Sequence, residues 1–181
     1  MKMTPEAFHT WSREFHMSEA TDTNTAPGMP SALLVAAGQD RFGDPCRLGI
    51  NTIDFKVTSQ ESTGLLIVEV TSHAKGGPER HLHLAQDEWF YVLEGQFLIE
   101  VGAERFRLQS GDAVLAPRGV PHVWANACDC TGRLLGVLNP AGKAEAFFRY
   151  LAKTASLAPP DPALFRLYDT EWVGPPLPRE P

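Results

Sequence analysis

The sequence predicts an all-β barrel with helical segments at both ends. Two observations carry this prediction. From residue 31 to residue 140, short apolar runs alternate with turn residues at the spacing of β-strands. In the same region, three histidines and a glutamate are distributed over three predicted strands. Such side chains can meet at one point only if the strands curl around a common interior, which implies a small barrel.

The length of 181 residues favours one domain with appendages. We predict an N-terminal helical segment and linker over residues 1–30, the barrel over 31–140, and C-terminal helices with a proline-rich tail over 141–181. Each of the motifs described below occurs once. The chain is therefore expected to contain a single barrel rather than two.

The N-terminal segment has the pattern of a short amphipathic helix over residues 4–19. Pro5 suits the first helical position after Thr4 as the N-cap. Phe8, Trp11 and Phe15 recur at spacings of three and four, which places them on one helical face. The stretch TDTNTAPGMP that follows is typical of a linker.

Strand patterns begin with the apolar run SALLVAAG at residues 31–38. In TIDFKV, the apolar residues Ile53, Phe55 and Val57 share one face of a predicted strand. LLIVEV and QFLIEV predict further strands, and RLLGVLNP is expected to close the barrel.

Helical patterns return after Pro140. In AGKAEAFFRYLAKTASL, the apolar residues recur at helical spacing and form one stripe, which comprises Ala144, Phe147, Phe148, Leu151 and Ala155. DPALFRLYD predicts a second helix that begins at Pro162, with Asp161 as its cap. The tail EWVGPPLPREP contains four prolines and is expected to be irregular.

Two motifs collect the candidate metal ligands. GGPERHLHLAQDEWFYVLEG places His81 and His83 on one face of a strand and Glu88 on the next strand. GDAVLAPRGVPHVWAN contributes His122 from a third strand. Imidazole nitrogens with one carboxylate suit Fe, Ni, Co, Cu, Zn or Mn, so the sequence predicts a site for one divalent transition metal whose identity stays open.

These motifs, written G-x4-H-x-H-x4-E-x6-G and G-x5-P-x-G-x2-H-x3-N, resemble the two signatures of the cupin family over roughly residues 31–140. The first departs by one residue, because four residues separate Gly76 from His81 where the family has five. DEWFYVLEG and PRGVPH are most similar to single-domain, quercetin-dioxygenase-like cupins. The resemblance implies a double-stranded β-helix, or jelly-roll, barrel with His81, His83, Glu88 and His122 as metal ligands.

The expected function is that of a metal-dependent, dioxygenase-like oxidoreductase acting on a small oxygen-chelating substrate, aromatic or enolic. Glu88 is the candidate catalytic base, because a carboxylate ligand can also accept a proton. The predicted inward-facing residues of the substrate pocket, which could equally be plain barrel core, are Phe90, Val92, Phe97 and Trp124.

Three other interpretations stay open. Cupins also include isomerases and lyases that do not use oxygen, and non-catalytic proteins that bind a small ligand. A metal-free barrel that kept these residues is the third. The family likeness does not choose among them, because a fold does not fix a function.

Composition excludes some partners. The net charge of −6 and the lack of a basic stripe argue against nucleic-acid and anionic-membrane binding. No apolar run has the length of a membrane span or the form of a signal peptide. Of three cysteines, Cys128 and Cys130 are expected to be free thiols, because they stand too close in sequence for an ordinary disulfide. These features predict a cytoplasmic protein.

The outer face of one strand predicts the oligomeric state. Trp89, Tyr91 and Leu93 alternate with the inward-facing residues of DEWFYVL and point away from the barrel. An outer face in water should be polar, so these residues need a cover. We predict a homodimer; the alternative is that the terminal helices of the same chain cover this face.

Overall fold

The computed structural model describes residues 32–62, 64–154 and 162–178. The described residues from Val35 onward belong to one compact unit. They form eleven strands: β1 Cys46–Leu48, β2 Asn51–Val57, β3 Leu66–Ser72, β4 Arg80–His83, β5 Asp87–Glu94, β6 Gln96–Val101, β7 Glu104–Gln109, β8 Ala113–Ala116, β9 His122–Asn126, β10 Gly132–Asn139 and β11 Thr170–Gly174. The described helices are α1 Ala144–Thr154 and α2 Pro162–Leu167.

The strands form two sheets that enclose one hydrophobic core. The first sheet has the order β1-β2-β3-β10-β5-β8, and the second has the order β11-β4-β9-β6-β7. The paired strands run antiparallel. The prediction of an all-β jelly-roll barrel is confirmed.

Side-chain alternation in β5 follows the predicted pattern. Glu88, Phe90 and Val92 are buried, whereas Trp89 and Tyr91 are half-buried. The core between the sheets is filled by large apolar side chains that are almost fully buried, among them Phe55, Leu66, Phe90, Phe97, Ile99, Leu134 and Leu138. Period-two patterning therefore determines which residues of this strand reach the interior.

The C-terminal tail contributes a strand, so the prediction that it is irregular is wrong over Glu171–Gly174. β11 pairs with β4, and places Thr170 opposite His83 and Trp172 opposite His81. The prolines of the tail all lie at position 175 or later. They end the strand without interrupting it, because only residues before them must donate to the ladder.

The tail also covers the outer face of the second sheet. Leu98, Val123 and Ala125 are buried on that face in a cluster separate from the main core. Leu177, which is 6% exposed, packs into this cluster from the tail. Residues of the same chain therefore cover the apolar residues on both faces of this sheet.

Both C-terminal helices begin where the sequence predicts them. On α1, Phe147 is buried and Phe148 lies with its ring centroid 6.4 Å from that of Phe55. Phe165 on α2 packs edge-on against Phe147 at 5.0 Å. Ala155, Asp161 and the predicted helix over 4–19 lie outside the described residues. Neither described helix has the length and hydropathy needed to cross a membrane.

The first predicted strand is absent. Residues 32–38, which include most of the run SALLVAAG, contain no strand, and the first strand begins at Cys46. The Asp40 carboxylate instead accepts hydrogen bonds from the backbone N–H groups of Phe42, Asp44 and Phe55. These bonds stabilise the turn at residues 41–43, just before β1.

Cys128 and Cys130 form a disulfide, so the prediction that both are free thiols is wrong. The Asn126 side chain accepts a hydrogen bond from Cys128 N at 3.0 Å and donates one to Cys130 O at 2.8 Å. These two bonds bend the loop until the cysteine Cα atoms are 5.0 Å apart. Cys46 is free and buried. The prediction of a cytoplasmic protein therefore has no support from free thiols at these two positions, and it stays a prediction.

Candidate metal centre

The four predicted ligands come together inside the barrel. His81 and His83 project from β4, Glu88 from β5 and His122 from β9. Their ligand atoms all lie within 4.8 Å of one another. The pairing of His81 with His122 across β4 and β9 brings two of the imidazoles together, with ring centroids 4.6 Å apart.

Backbone carbonyls orient two of the imidazoles. Nδ1 of His81 lies 2.8 Å from the carbonyl oxygen of Glu79, and Nδ1 of His122 lies 3.0 Å from that of Val120. A carbonyl can only accept, so each Nδ1 carries the proton and donates it outward. Each Nε2 then presents its lone pair to the centre, which is the tautomer that a metal ligand needs.

Thr170 orients the third imidazole. Its Oγ1 lies 3.3 Å from Nδ1 of His83 and donates its own proton to the carbonyl oxygen of Tyr168 at 3.4 Å. The hydroxyl therefore accepts from His83, whose Nε2 faces the centre. Sequence reasoning missed Thr170, because it stands 87 positions from His83, between the predicted second helix and the tail expected to be irregular. No local signal marks it.

The arrangement of donor atoms around Glu88 favours the binding of a cation. Its Oε2 lies 3.0 Å from Nε2 of His83 and 3.1 Å from Nε2 of His122. If each Nδ1 holds the imidazole proton, both Nε2 lone pairs face a carboxylate lone pair, which is repulsive. A proton or a metal ion between them removes this repulsion. Three nitrogens and one carboxylate fit a divalent transition metal in charge and in donor type.

Electrostatics favours the ligand forms of two of these residues. Desolvation and the nearby imidazoles of His122 and His83 lower the pKa of His81 to about 3, which keeps this ring neutral. Burial alone would raise the pKa of Glu88, but a proton shared with Nε2 of His122 or His83 makes a hydrogen bond to the carboxylate, which outweighs burial and holds this pKa below the usual range. Glu88 is thus an ionised carboxylate inside the barrel.

A cavity of about 640 Å³ opens onto the centre. Of the four predicted pocket residues, Phe90 and Trp124 line it. Val92 and Phe97 are not part of its wall, so their prediction is corrected to barrel core. The Phe97 ring packs against Trp124 and against Gly132. The contact with Gly132 is so close that a Cβ added to this glycine would lie 2.9 Å from the Phe97 ring. The Phe97 side chain therefore has no surface left to face the cavity.

Sequence reasoning missed much of the cavity wall. Part of it comes from the turn between β1 and β2, and part from the apolar stripe of α1 with one residue of α2. These residues are Leu48, Ile50, Asn51, Phe147, Phe148, Leu151, Thr154 and Phe165. The α1 stripe predicted a packing surface, but nothing in the pattern showed that it faces a cavity rather than solid core.

Residues 67–137 match the family model of the cupin domain. The matched region contains all four residues of the metal centre, whereas Thr170 and the helices lie outside it. No curated protein sequence matches this chain.

Solved structures are similar to this chain. An RmlC-like cupin from Shewanella frigidimarina is 22% identical with a TM-score of 0.53, over 65% of this chain and 99% of that chain. KdgF from Halomonas sp. is 24% identical with a TM-score of 0.49, over 54% and 86%. Oxalate decarboxylase from Bacillus subtilis is 21% identical with a TM-score of 0.48, over 54% and 28%. Likeness at these identities concerns the fold and not the reaction.

Proposed function

We propose that this protein is a metal-dependent, dioxygenase-like oxidoreductase that acts on a small oxygen-chelating substrate, aromatic or enolic. The observation that carries the proposal is the convergence of His81, His83, Glu88 and His122 beside a largely apolar cavity, whose wall includes the first three of these residues. We assign these four residues as ligands of one divalent transition metal. The resemblance of DEWFYVLEG and PRGVPH to quercetin-dioxygenase-like cupins supports the reaction class.

The residues of the candidate site have separate roles in this reaction. His81, His83, Glu88 and His122 would hold a metal ion, which when bound would supply the Lewis acidity that lowers the pKa of an enol or phenol substrate. Glu88 is ionised and can accept the proton that such a substrate loses. Phe90 and Trp124 line the cavity beside these donors and limit the access of water to the substrate.

Two measurements test this proposal in sequence. Metal content of the purified protein is expected to be one divalent ion per chain, and close to zero in His122→Ala. Oxygen uptake is then followed on a panel of flavonols, diketones and enediols, with the metal-free protein and His122→Ala as matched controls. We expect oxygen consumption by the metal-loaded protein alone on at least one member of the panel.

The outcomes separate the competing functions. Turnover without oxygen uptake would replace the dioxygenase by an isomerase or a lyase. Binding without turnover would make the protein a ligand-binding cupin. A chain that binds no divalent metal at neutral pH would overturn the whole proposal.

A further inference from the structure

The loop between β9 and β10 carries a disulfide between Cys128 and Cys130, which stand two positions apart. Cys130 is exposed and Cys128 is half-buried, so a reagent in solvent can reach the bridge. The stabilisation that a cross-link gives to a fold grows with the length of the loop that it closes, and this one encloses only Asp129. Exposed disulfides are in general the ones that exchange with thiols. The bridge is therefore better suited to reaction than to stabilising the fold.

The Asn126 side chain connects this bridge to the end of β9. It is 1% exposed, and its amide accepts from Cys128 N and donates to Cys130 O. The disulfide fixes these two backbone groups relative to each other, because the short closed ring has few conformations. If the bridge opens, the loop gains conformational freedom, and the buried amide keeps these two hydrogen bonds only part of the time.

The backbone of Asn126 in turn holds the segment that leads into β4. Its N–H donates to Gly76 O at 2.9 Å, and the Gly76 N–H donates to Asn126 O at 3.1 Å. This pair is an isolated bridge outside the strands, so it opens more readily than a pair inside a sheet. Asp129 also pairs with Lys75 at 3.3 Å, but the Asp129 side chain is 85% exposed and such an ion pair contributes little.

The segment held by Asn126 reaches both the cavity and the candidate metal centre. Residues 77–79 follow Gly76 and belong to the cavity wall. The carbonyl oxygen of Glu79 accepts the proton of His81 Nδ1 at 2.8 Å. A continuous series of contacts therefore runs from the disulfide through Asn126 and Gly76 to the cavity wall.

We infer that Cys128 and Cys130 form a redox site that exchanges with a dithiol, and that reduction of this site loosens residues 76–79 at the cavity wall. The inference goes beyond the proposed function, because it concerns a second reactive site and needs no metal. It assigns Asn126 as the residue that transmits the state of the bridge to the cavity.

The exchange is a two-electron reduction of the bridge. A thiolate of the dithiol attacks Sγ of the exposed Cys130, the S–S bond breaks, and Cys128 leaves as a thiolate that takes a proton from water. The second thiolate of the reagent attacks the resulting mixed disulfide and closes the reagent's own disulfide. Cys130 is released as a thiolate and is also protonated. Two electrons and two protons thus pass from the dithiol to the protein.

The test compares amide hydrogen exchange in the oxidised full-length protein and in the protein reduced with dithiothreitol, both in EDTA. Thiols titrated in denaturant should rise from one per chain, that of Cys46, to three. We expect the N–H groups of Gly76 and Asn126 to exchange about tenfold faster after reduction, the effect of losing roughly one hydrogen bond. Amides of β3 and β10 should be unchanged, and reoxidation should restore slow exchange.

Two variants assign the effect to the bridge. The double substitution Cys128→Ser with Cys130→Ser should show fast exchange at Gly76 with or without dithiothreitol. Asp129→Asn is the matched control in the same loop, because it removes the exposed ion pair and keeps both cysteines. This control should keep slow exchange when oxidised and the tenfold response to reduction. Circular dichroism verifies that both variants fold.

Several results would overturn the inference. They are unchanged exchange at Gly76 after complete reduction, a response to dithiothreitol retained in the double serine variant or lost in Asp129→Asn, and a bridge that dithiothreitol does not reduce in the folded protein. Loss of protection throughout β3 and β10 on reduction would also overturn it, since the bridge would then be a structural cross-link. None of these results depends on a metal. A protein that responds as expected but binds no divalent metal would instead overturn the proposed function.

Discussion

Oε2 of Glu88 lies 3.1 Å from Nε2 of His122, although the two residues stand 34 positions apart and belong to different sheets. Glu88 projects from β5 of the first sheet, and His122 projects from β9 of the second. The candidate metal centre therefore joins the two sheets across the barrel interior. Any change at either residue alters a contact between sheets as well as a candidate ligand.

Glu88→Gln is expected to reduce turnover much more than metal content. The amide keeps the shape and one oxygen donor but removes the negative charge and the base. Loss of a general base typically costs about 100-fold or more in rate. Metal analysis and kcat on a confirmed substrate check this together, with His122→Ala as the control that loses metal. Full activity in Glu88→Gln would make Glu88 purely structural.

Thr170→Val is expected to weaken metal affinity about 10- to 100-fold, because it removes the acceptor that orients His83. Valine keeps the volume of this side chain, which is 1% exposed. Competition with a chromophoric chelator for Zn²⁺ measures the affinity. Thr71→Val, at a half-buried position of β3, is the matched control and should bind as the wild type does. Unchanged affinity in Thr170→Val would show that Thr170 does not support the site.

The convergence of three of the four candidate ligands could be predicted from sequence because the spacing of His81, His83 and Glu88 is local. The interval between His81 and His83 sets a shared strand face, and the position of Glu88 after a short turn sets the next strand. The pairing of β4 with β11 could not be predicted, since it joins segments almost 90 positions apart. A period-two pattern reports which face a residue occupies but not which strand lies beside it.

The wall of the cavity could likewise be predicted from the sequence only in part. Phe90 and Val92 share one face of β5, and the sequence places both in the pocket, yet only Phe90 reaches the cavity wall. Where along a strand the cavity ends depends on how the helices pack over the barrel. The disulfide between Cys128 and Cys130 was missed for a related reason, because the Asn126 side chain determines the shape of that loop.

Acidification is expected to destabilise the metal-free protein. The pKa of His81 is about 3 in the folded state and near 6.5 when unfolded, so the unfolded chain alone holds this proton between those pH values. The free energy of unfolding therefore decreases as the pH falls below 6.5, by up to about 1.4 kcal/mol per pH unit. Glu88, whose pKa is also lowered in the folded state, adds a loss of the same sign below about pH 4.5.

Thermal unfolding in EDTA between pH 7.5 and 4 measures this dependence. His81→Asn removes one of the titrating groups and should show a shallower decline below pH 6.5 than the wild type. Parallel declines in the two proteins would contradict the lowered pKa of His81.

Leu177→Ala is expected to destabilise the folded protein by about 2 kcal/mol, because it uncovers Leu98, Val123 and Ala125. Urea unfolding of the metal-free protein measures the free energy. Leu84→Ala is the matched control, since Leu84 is 48% exposed and should change stability by less than about 0.5 kcal/mol. Equal effects of the two substitutions would show that the tail does not seal the second sheet.

The outer face of the first sheet leads to the prediction of a homodimer. Trp89 and Tyr91 stack with ring centroids 5.6 Å apart, and Leu115 lies opposite Trp89 and is 52% exposed. Val137 and Leu135 from β10 pair with Trp89 and Tyr91 on the other side. The described helix α1 packs over the cavity beside Phe55, and the tail covers the second sheet.

A two-fold pair that buries at least about 1,000 Å² in total would cover this apolar face. We expect sedimentation at micromolar concentration to give twice the monomer mass of 19.9 kDa. Leu115→Glu should shift the protein to monomer, because it places two like charges in an isologous interface. Leu167→Glu changes another exposed leucine, 64% exposed on α2, and should leave the dimer intact. A wild-type species of monomer mass would mean that residues of the same chain cover the apolar face, which is the alternative to a homodimer.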